Sequence, residues 1–147
     1  MSLAATPPPV WQTGRMNAAL DPSQCFACSP ENPRGLHLDF RPDAAGNYCA
    51  EWLPEAGFEG FRGVIHGGIV STVLDESMAK AVAATGAFGF TAELRVRFRQ
   101  QVPPGAAVQV RGWIADSGKR MLKTEACIED AHGKELAHAW AVFLRAK

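Results

Sequence analysis

No run of apolar residues in this 147-residue chain approaches the roughly 20 that a helix needs to cross a bilayer. Neither sign of charge is in excess. Fifteen basic residues balance fifteen acidic ones, so no overall field draws the protein to nucleic acid or to an anionic membrane. Internal repeats are missing, and so is low-complexity sequence beyond the early prolines. Residues 1–9 lack the basic and apolar regions of a signal peptide, which makes a cytoplasmic protein the expectation. Cysteine is scarce. Cys25 and Cys28 form a C-x-x-C, but no second such pair and no H-x-x-x-H accompanies it, so a zinc site would need two further ligands. Cys49 and Cys127 stand alone in strand-like segments. The expectation is reduced cysteines in a turn and a core, with no metal and no cofactor.

What is present is an ordinary globular composition, 47% hydrophobic and 20% charged. A chain of this length is most simply one domain that buries roughly two-thirds of its unfolded surface. Residues 1–24 read as an arm, Pro- and Ala-rich and then weakly helical over 11–20, with the folded domain at 25–147. Residues 36–40 alternate strictly, predicting a strand with Leu36, Leu38 and Phe40 on one face, paired in a hairpin with 48–53. Residues 54–63 hold three glycines and two phenylalanines, a loop of the kind that covers a site.

The longest helical pattern runs from Gly68 to about Thr85, with Gly86 as its stop. Ile69, Val70, Val73, Leu74, Met78, Ala81 and Val82 make its apolar stripe, while Asp75 and Glu76 border the polar side. Four strands joined by short turns follow, at 91–99, 107–115, 121–129 and 135–144. In the first, Leu94, Val96 and Phe98 oppose Glu93, Arg95, Arg97 and Arg99. One long helix packed across an antiparallel sheet of about six strands is an α+β architecture. A single helix leaves one sheet face uncovered, which predicts an oligomer.

The helix start carries the chemistry. Gly67 and Gly68 place no Cβ in a ligand's way, and first-turn N–H groups at the positive end of the helix dipole can hold an oxygen gaining negative charge. One such donor is worth about 3 kcal/mol of barrier. A carboxylate seven residues further on lies roughly 10 Å along the axis. Either a substrate lies along the helix or the two groups come from different subunits. The bland alternative is a tight turn with a capping histidine and two surface carboxylates.

At this point the chain resembles the hotdog-fold acyl-CoA thioesterases of the phenylacetate-pathway (PaaI-like) type, within the thioesterase superfamily. The residues that carry the resemblance are Cys25-Phe26-Ala27-Cys28, Asn32-Pro33-x-Gly35-Leu36, Glu59-Gly60-Phe61-x-Gly63-Val64-x-His66-Gly67-Gly68, Leu74-Asp75-Glu76 and Thr91-Ala92-Glu93-Leu94-x-Val96-Arg97-Phe98. The resemblance implies a long helix wrapped by the sheet, a homodimer that pairs again into a homotetramer, and an acyl-CoA substrate. It implies Asp75 as nucleophile or general base, with Glu76 second to it. On the same resemblance Gly67 would supply the oxyanion N–H from the other subunit, with Gly68 beside it, His66 would shape the turn, and Thr91 would orient a water.

Some relatives carry Asn where this chain has Gly60, so the water contact must come from elsewhere. For the acyl group the candidates are Phe58, Phe61, Met78 and Val82. For the phosphates of CoA they are Ser117, Lys119 and Arg120, with Lys123 near the same turn and Arg95, Arg97 and Arg99 on a sheet face as weaker choices. The implied reaction is hydrolysis of a short- or medium-chain or aromatic acyl-CoA. The rivals are a non-catalytic acyl-CoA binding protein and a hotdog enoyl-CoA hydratase or dehydratase.

Overall fold

The computed structural model describes residues 21–146, and the weakly helical stretch expected over 11–20 lies outside them. Six strands and one long helix follow in the order β1 (Arg41–Pro42), β2 (Tyr48–Trp52), α1 (Gly67–Ala84), β3 (Gly89–Phe98), β4 (Val108–Ser117), β5 (Met121–Glu129) and β6 (Glu135–Arg145). All pairings are antiparallel, and the strands lie in the order β1-β2-β4-β5-β6-β3. The helix crosses one face of this sheet, as the α+β reading expects. No helix among the described residues is long and apolar enough to cross a membrane.

The helix packs as its stripe predicts. Val70, Val73, Leu74, Met78 and Val82 are buried against Val110, Leu122, Ala126, Ala139 and Phe143 of the sheet. The small residues of β6 let the helix sit close. The two layers come close at Gly112 of β4, where a Cβ would stand 2.5 Å from the backbone C and O of Ser77. Ser77 is itself buried, and its hydroxyl donates to the Leu74 carbonyl at 2.7 Å. At the far end Gly86 takes φ 78°, the left-handed conformation that stops a helix.

One expected element is corrected. Residues 36–40 keep their alternation, with Leu36 and Leu38 buried and His37 and Asp39 exposed, yet they form no ladder with β2. The N–H groups of Leu36 and Leu38 donate instead to Phe26 and Ala27 carbonyls at 2.8 and 2.9 Å, and His37 takes φ 52°. The segment is stitched to the C-x-x-C turn, and sheet pairing starts only at Arg41. The turn after β4 also moves. The strand runs on to Ser117, with a register shift between Ile114 and Asp116.

Candidate active site

His66 is the N-cap of α1, and its Nδ1 accepts the Gly68 N–H at 2.9 Å. This is the side-chain cap that a helix start requires. The loop leading to it is held on both sides, Ile65 N–H donating to Val102 O and His66 N–H to Phe58 O, both at 2.9 Å. Capping has a chemical consequence. Gly68's N–H is committed to the imidazole, whereas Gly67's N–H has no partner among the described residues. Of the two glycine donors, Gly67 is the one available to a ligand. The Phe98 ring of β3 lies beside it, 3.4 Å from where a Gly67 Cβ would stand. Gly60 fits closely behind the cap, since a Cβ there would meet the Cα and Cδ2 of His66 at 3.3 Å. An asparagine at that position would crowd the imidazole.

Two turns further along the helix, Asp75 accepts a hydrogen bond from the Thr91 hydroxyl, Oγ1 to Oδ1, at 2.7 Å. Simple alternation would have put Thr91 with Glu93 and Arg95 on the outer face of β3. A bulge prevents that. Thr91 pairs with Phe143 but Glu93 pairs with Val142, so Ala92 is the extra residue and the side-chain parity reverses. Thr91 thereby joins Leu94, Val96 and Phe98 on the helix side. Burial raises the Asp75 carboxyl above the ordinary aspartate range. The Thr91 hydrogen bond pulls it back in part, and the charge of Glu76 raises it further.

Glu76 is not part of this arrangement. Its carboxylate turns the other way, 3.6 Å from Lys80 Nζ and 3.8 Å from the Cys25 sulfur. Within one chain, Gly67 and Asp75 are eight residues apart on the helix, about 12 Å along its axis. The helix itself therefore keeps the donor and the carboxylate apart.

The other candidates are scattered. Phe58 is half-buried beside His66, Gly68 and Thr72 in an open cleft. Phe61 is 86% exposed. Met78 and Val82, read as walls of an acyl pocket, are enclosed between helix and sheet at 0% and 1% exposure. They face the sheet because they lie on the same stripe as Val70 and Leu74. Ser117, Lys119 and Arg120 are exposed in or next to the β4–β5 turn, which Arg145 ties down by donating to Gly118 O and Ser117 Oγ. Thr91, Phe143, Leu122 and Ser117 form one row across the sheet, so this turn is about 14 Å from Thr91.

Arg95, Arg97 and Arg99 lie on β3 or just past its end. Arg95 stacks over Trp140 at 4.5 Å, and Arg99 pairs with Glu135 at 2.7 Å. Two features had no signal in the sequence pattern: the Ala92 bulge and the contact of Phe98 with the helix start.

Residues 62–137 match a family model described as the thioesterase superfamily. A search of curated protein sequences finds no match. Among solved structures the chain is similar to a crystal structure of a thioesterase superfamily protein, 23% identical with a TM-score of 0.77. That match covers 80% of this chain but 61% of the other, so the chain spans about three-fifths of that relative. The PaaI protein of the Escherichia coli phenylacetic acid degradation operon is 17% identical, with a TM-score of 0.71 over 76% of this chain and 81% of that one. A Streptococcus mutans protein solved with acetyl-CoA bound is 16% identical, with a TM-score of 0.69 over 74% and 87%. What is shared with these structures is the hotdog fold, one long helix against an antiparallel sheet.

Proposed function

Since the chain belongs to the thioesterase superfamily, we propose that it is an acyl-CoA thioesterase, hydrolysing a short- or medium-chain or aromatic acyl-CoA to the free acid and CoA. The observation that carries this is the Thr91–Asp75 hydrogen bond on the helix that also presents the unpaired Gly67 N–H. A carboxylate with a raised pKa is a stronger base than a free aspartate, and a lone N–H at a helix start suits a developing oxyanion. In the hydrolytic step water adds to the thioester carbonyl, the carbonyl oxygen takes the charge at Gly67, and the C–S bond breaks to release the CoA thiolate. Asp75 either removes the proton from that water or attacks the carbonyl itself to give an anhydride that water then opens. Label found in the Asp75 carboxylate after a single turnover in ¹⁸O-water would identify attack by Asp75 with water opening the anhydride at the aspartyl carbonyl, since a general base forms no bond to the water oxygen.

The first test is a thiol-release screen across acyl chain length and aromaticity. Tight acyl-CoA binding without turnover on the whole panel would favour a non-catalytic binder, and hydration of an enoyl-CoA would favour a hydratase. The Streptococcus mutans relative with acetyl-CoA supports this ligand class. For the phosphates, Lys119 and Arg120 in the exposed turn are the cations we assign, with Ser117 beside them. Phe58, with Phe61 above it on the loop, is assigned to the acyl side.

The working site is assembled from two subunits. Strand β3 is a sheet edge, and its helix-side residues Leu94 and Phe98 are 37% and 53% exposed. An apolar open edge invites pairing with another copy. Edge-to-edge pairing of two β3 strands brings Gly67 and Phe98 of one copy toward Asp75 of the other, and a further pairing of dimers gives the tetramer. Leu94→Glu is expected to leave a folded monomer by analytical ultracentrifugation and to remove turnover. A monomeric variant with undiminished turnover would refute the shared site.

Thr91 provides a finer test. Its hydrogen bond favours the ionised form of Asp75, so Thr91→Val raises that pKa further. The acid limb of the kcat–pH profile therefore moves to higher pH. An unmoved limb would show that Thr91 does not tune the carboxylate that limits the rate.

A further inference from the structure

Glu76 lies next to the proposed catalytic aspartate and yet points away from it, into a cluster the thioester reaction does not use. The cluster joins two distant parts of the chain. The C-x-x-C turn brings Cys25 and Cys28 over the helix, where their sulfurs and a Glu76 carboxylate oxygen all lie within 4.8 Å of one another. The Cys25 thiol donates to Glu76 Oε1 at 3.8 Å. An edge of a tetrahedron built on zinc–sulfur bonds of 2.3 Å is about 3.8 Å long, so the atoms already stand near ligand spacing.

The turn is braced from behind. Cys25 N–H donates to Pro22 O and Ser29 N–H to Cys25 O, and residues 36 and 38 bond to the carbonyls of Phe26 and Ala27. Lys80, one helical turn beyond Glu76, places Nζ 3.2 Å from Cys28 Sγ and 3.6 Å from Glu76 Oε1.

We propose that Cys25, Cys28 and Glu76 form a binding site for a zinc ion, with Lys80 as its neutralising neighbour. Two thiolates and a carboxylate suit zinc, whereas calcium and magnesium prefer all-oxygen sites. Three negative ligands against a dication leave one negative charge, which the Lys80 ammonium matches. Three protein ligands leave a fourth position for water. Binding releases the two thiol protons to solvent. The ion would staple residues 25–38 to α1 at the residue after Asp75 and so steady that turn of the helix. The sequence pattern concealed this site because a search for cysteine and histidine pairs does not include a carboxylate fifty residues away. The inference is independent of the thioester reaction.

The test uses the full chain, reduced and stripped with a chelator. Titration with cobalt(II) is expected to give a thiolate-to-cobalt charge-transfer absorption saturating at one ion per chain, bleached by one equivalent of zinc. Cys25→Ser and Cys28→Ser lose the band, and Cys49→Ser keeps it. Lys80→Met weakens zinc binding by about 10–100-fold, the range seen when a neighbour of a metal ligand is removed. Glu76→Gln weakens it at least as much. Three outcomes overturn the proposal: no charge-transfer band in folded wild-type protein, equal zinc binding by Cys25→Ser, or a Cys25–Cys28 disulfide in protein that binds no zinc once reduced.

Discussion

Asp75→Asn is expected to lower thioester turnover by about 10²–10⁴-fold, the range for losing a positioned general base. The same substitution should make the protein more stable at neutral pH. The carboxyl of Asp75 is raised above its ordinary value mainly by burial, so the folded chain holds the proton more tightly than the unfolded chain. Its contribution to stability is thus favourable below the ordinary aspartate pKa and is lost as pH rises through the folded value. At neutral pH the group is ionised in a half-buried position, which is a cost. Asparagine removes that charge and keeps an oxygen to accept from Thr91. Thermal melts of the two proteins should differ in favour of the variant at neutral pH and converge under acid. Turnover within ten-fold of wild type would reject the mechanism, and a less stable variant at neutral pH would reject the electrostatic account.

The second large effect is on stability. Gly112→Ala places a methyl 2.5 Å from the Ser77 backbone, a contact that no rotamer can relieve because the Cβ is fixed by its own backbone and the Ser77 C and O it meets are main chain. The helix must lift from β4, and overpacking of this kind costs about 1–3 kcal/mol, occasionally more. For a domain of this size that lowers Tm by about 3–10 °C. The comparison is Gly57→Ala, where an added Cβ meets nothing within 4 Å and the backbone is in no left-handed conformation. Asp75 sits two residues before Ser77, so the lifted helix should also lengthen the Thr91 contact and reduce turnover. A Gly112→Ala protein melting like wild type would show that the close approach is not under compression.

Much of the architecture was legible before folding. The apolar stripe of α1, its stop at Gly86, the alternation of β3 beyond the bulge and the three strands after it are local patterns, and they survive in the structure with ends displaced by at most two residues. The resemblance carried by His66-Gly67-Gly68, Asp75 and Thr91 led to the thioesterase superfamily. Residues 36–40 misled because alternation reports burial on one side and says nothing about which neighbour takes the backbone hydrogen bonds. Met78 and Val82 misled in the opposite direction, since an apolar residue on a helix looks the same whether it lines a pocket or fills a core.

What the sequence by itself determined is therefore the long helix with its buried face, the strands that follow it, and the residues that are candidates for the chemistry. Those follow from nearest-neighbour sterics and from the partition of apolar side chains out of water. The tertiary structure alone decided the relations between distant residues. The Ala92 bulge turns Thr91 to Asp75, Gly112 admits the helix against the sheet, the His66 cap withdraws Gly68 and leaves Gly67, and Glu76 meets Cys25 and Cys28 rather than Asp75. Each depends on strand register and helix rotation, which are set by the packing of the whole domain and leave no periodic trace in the chain.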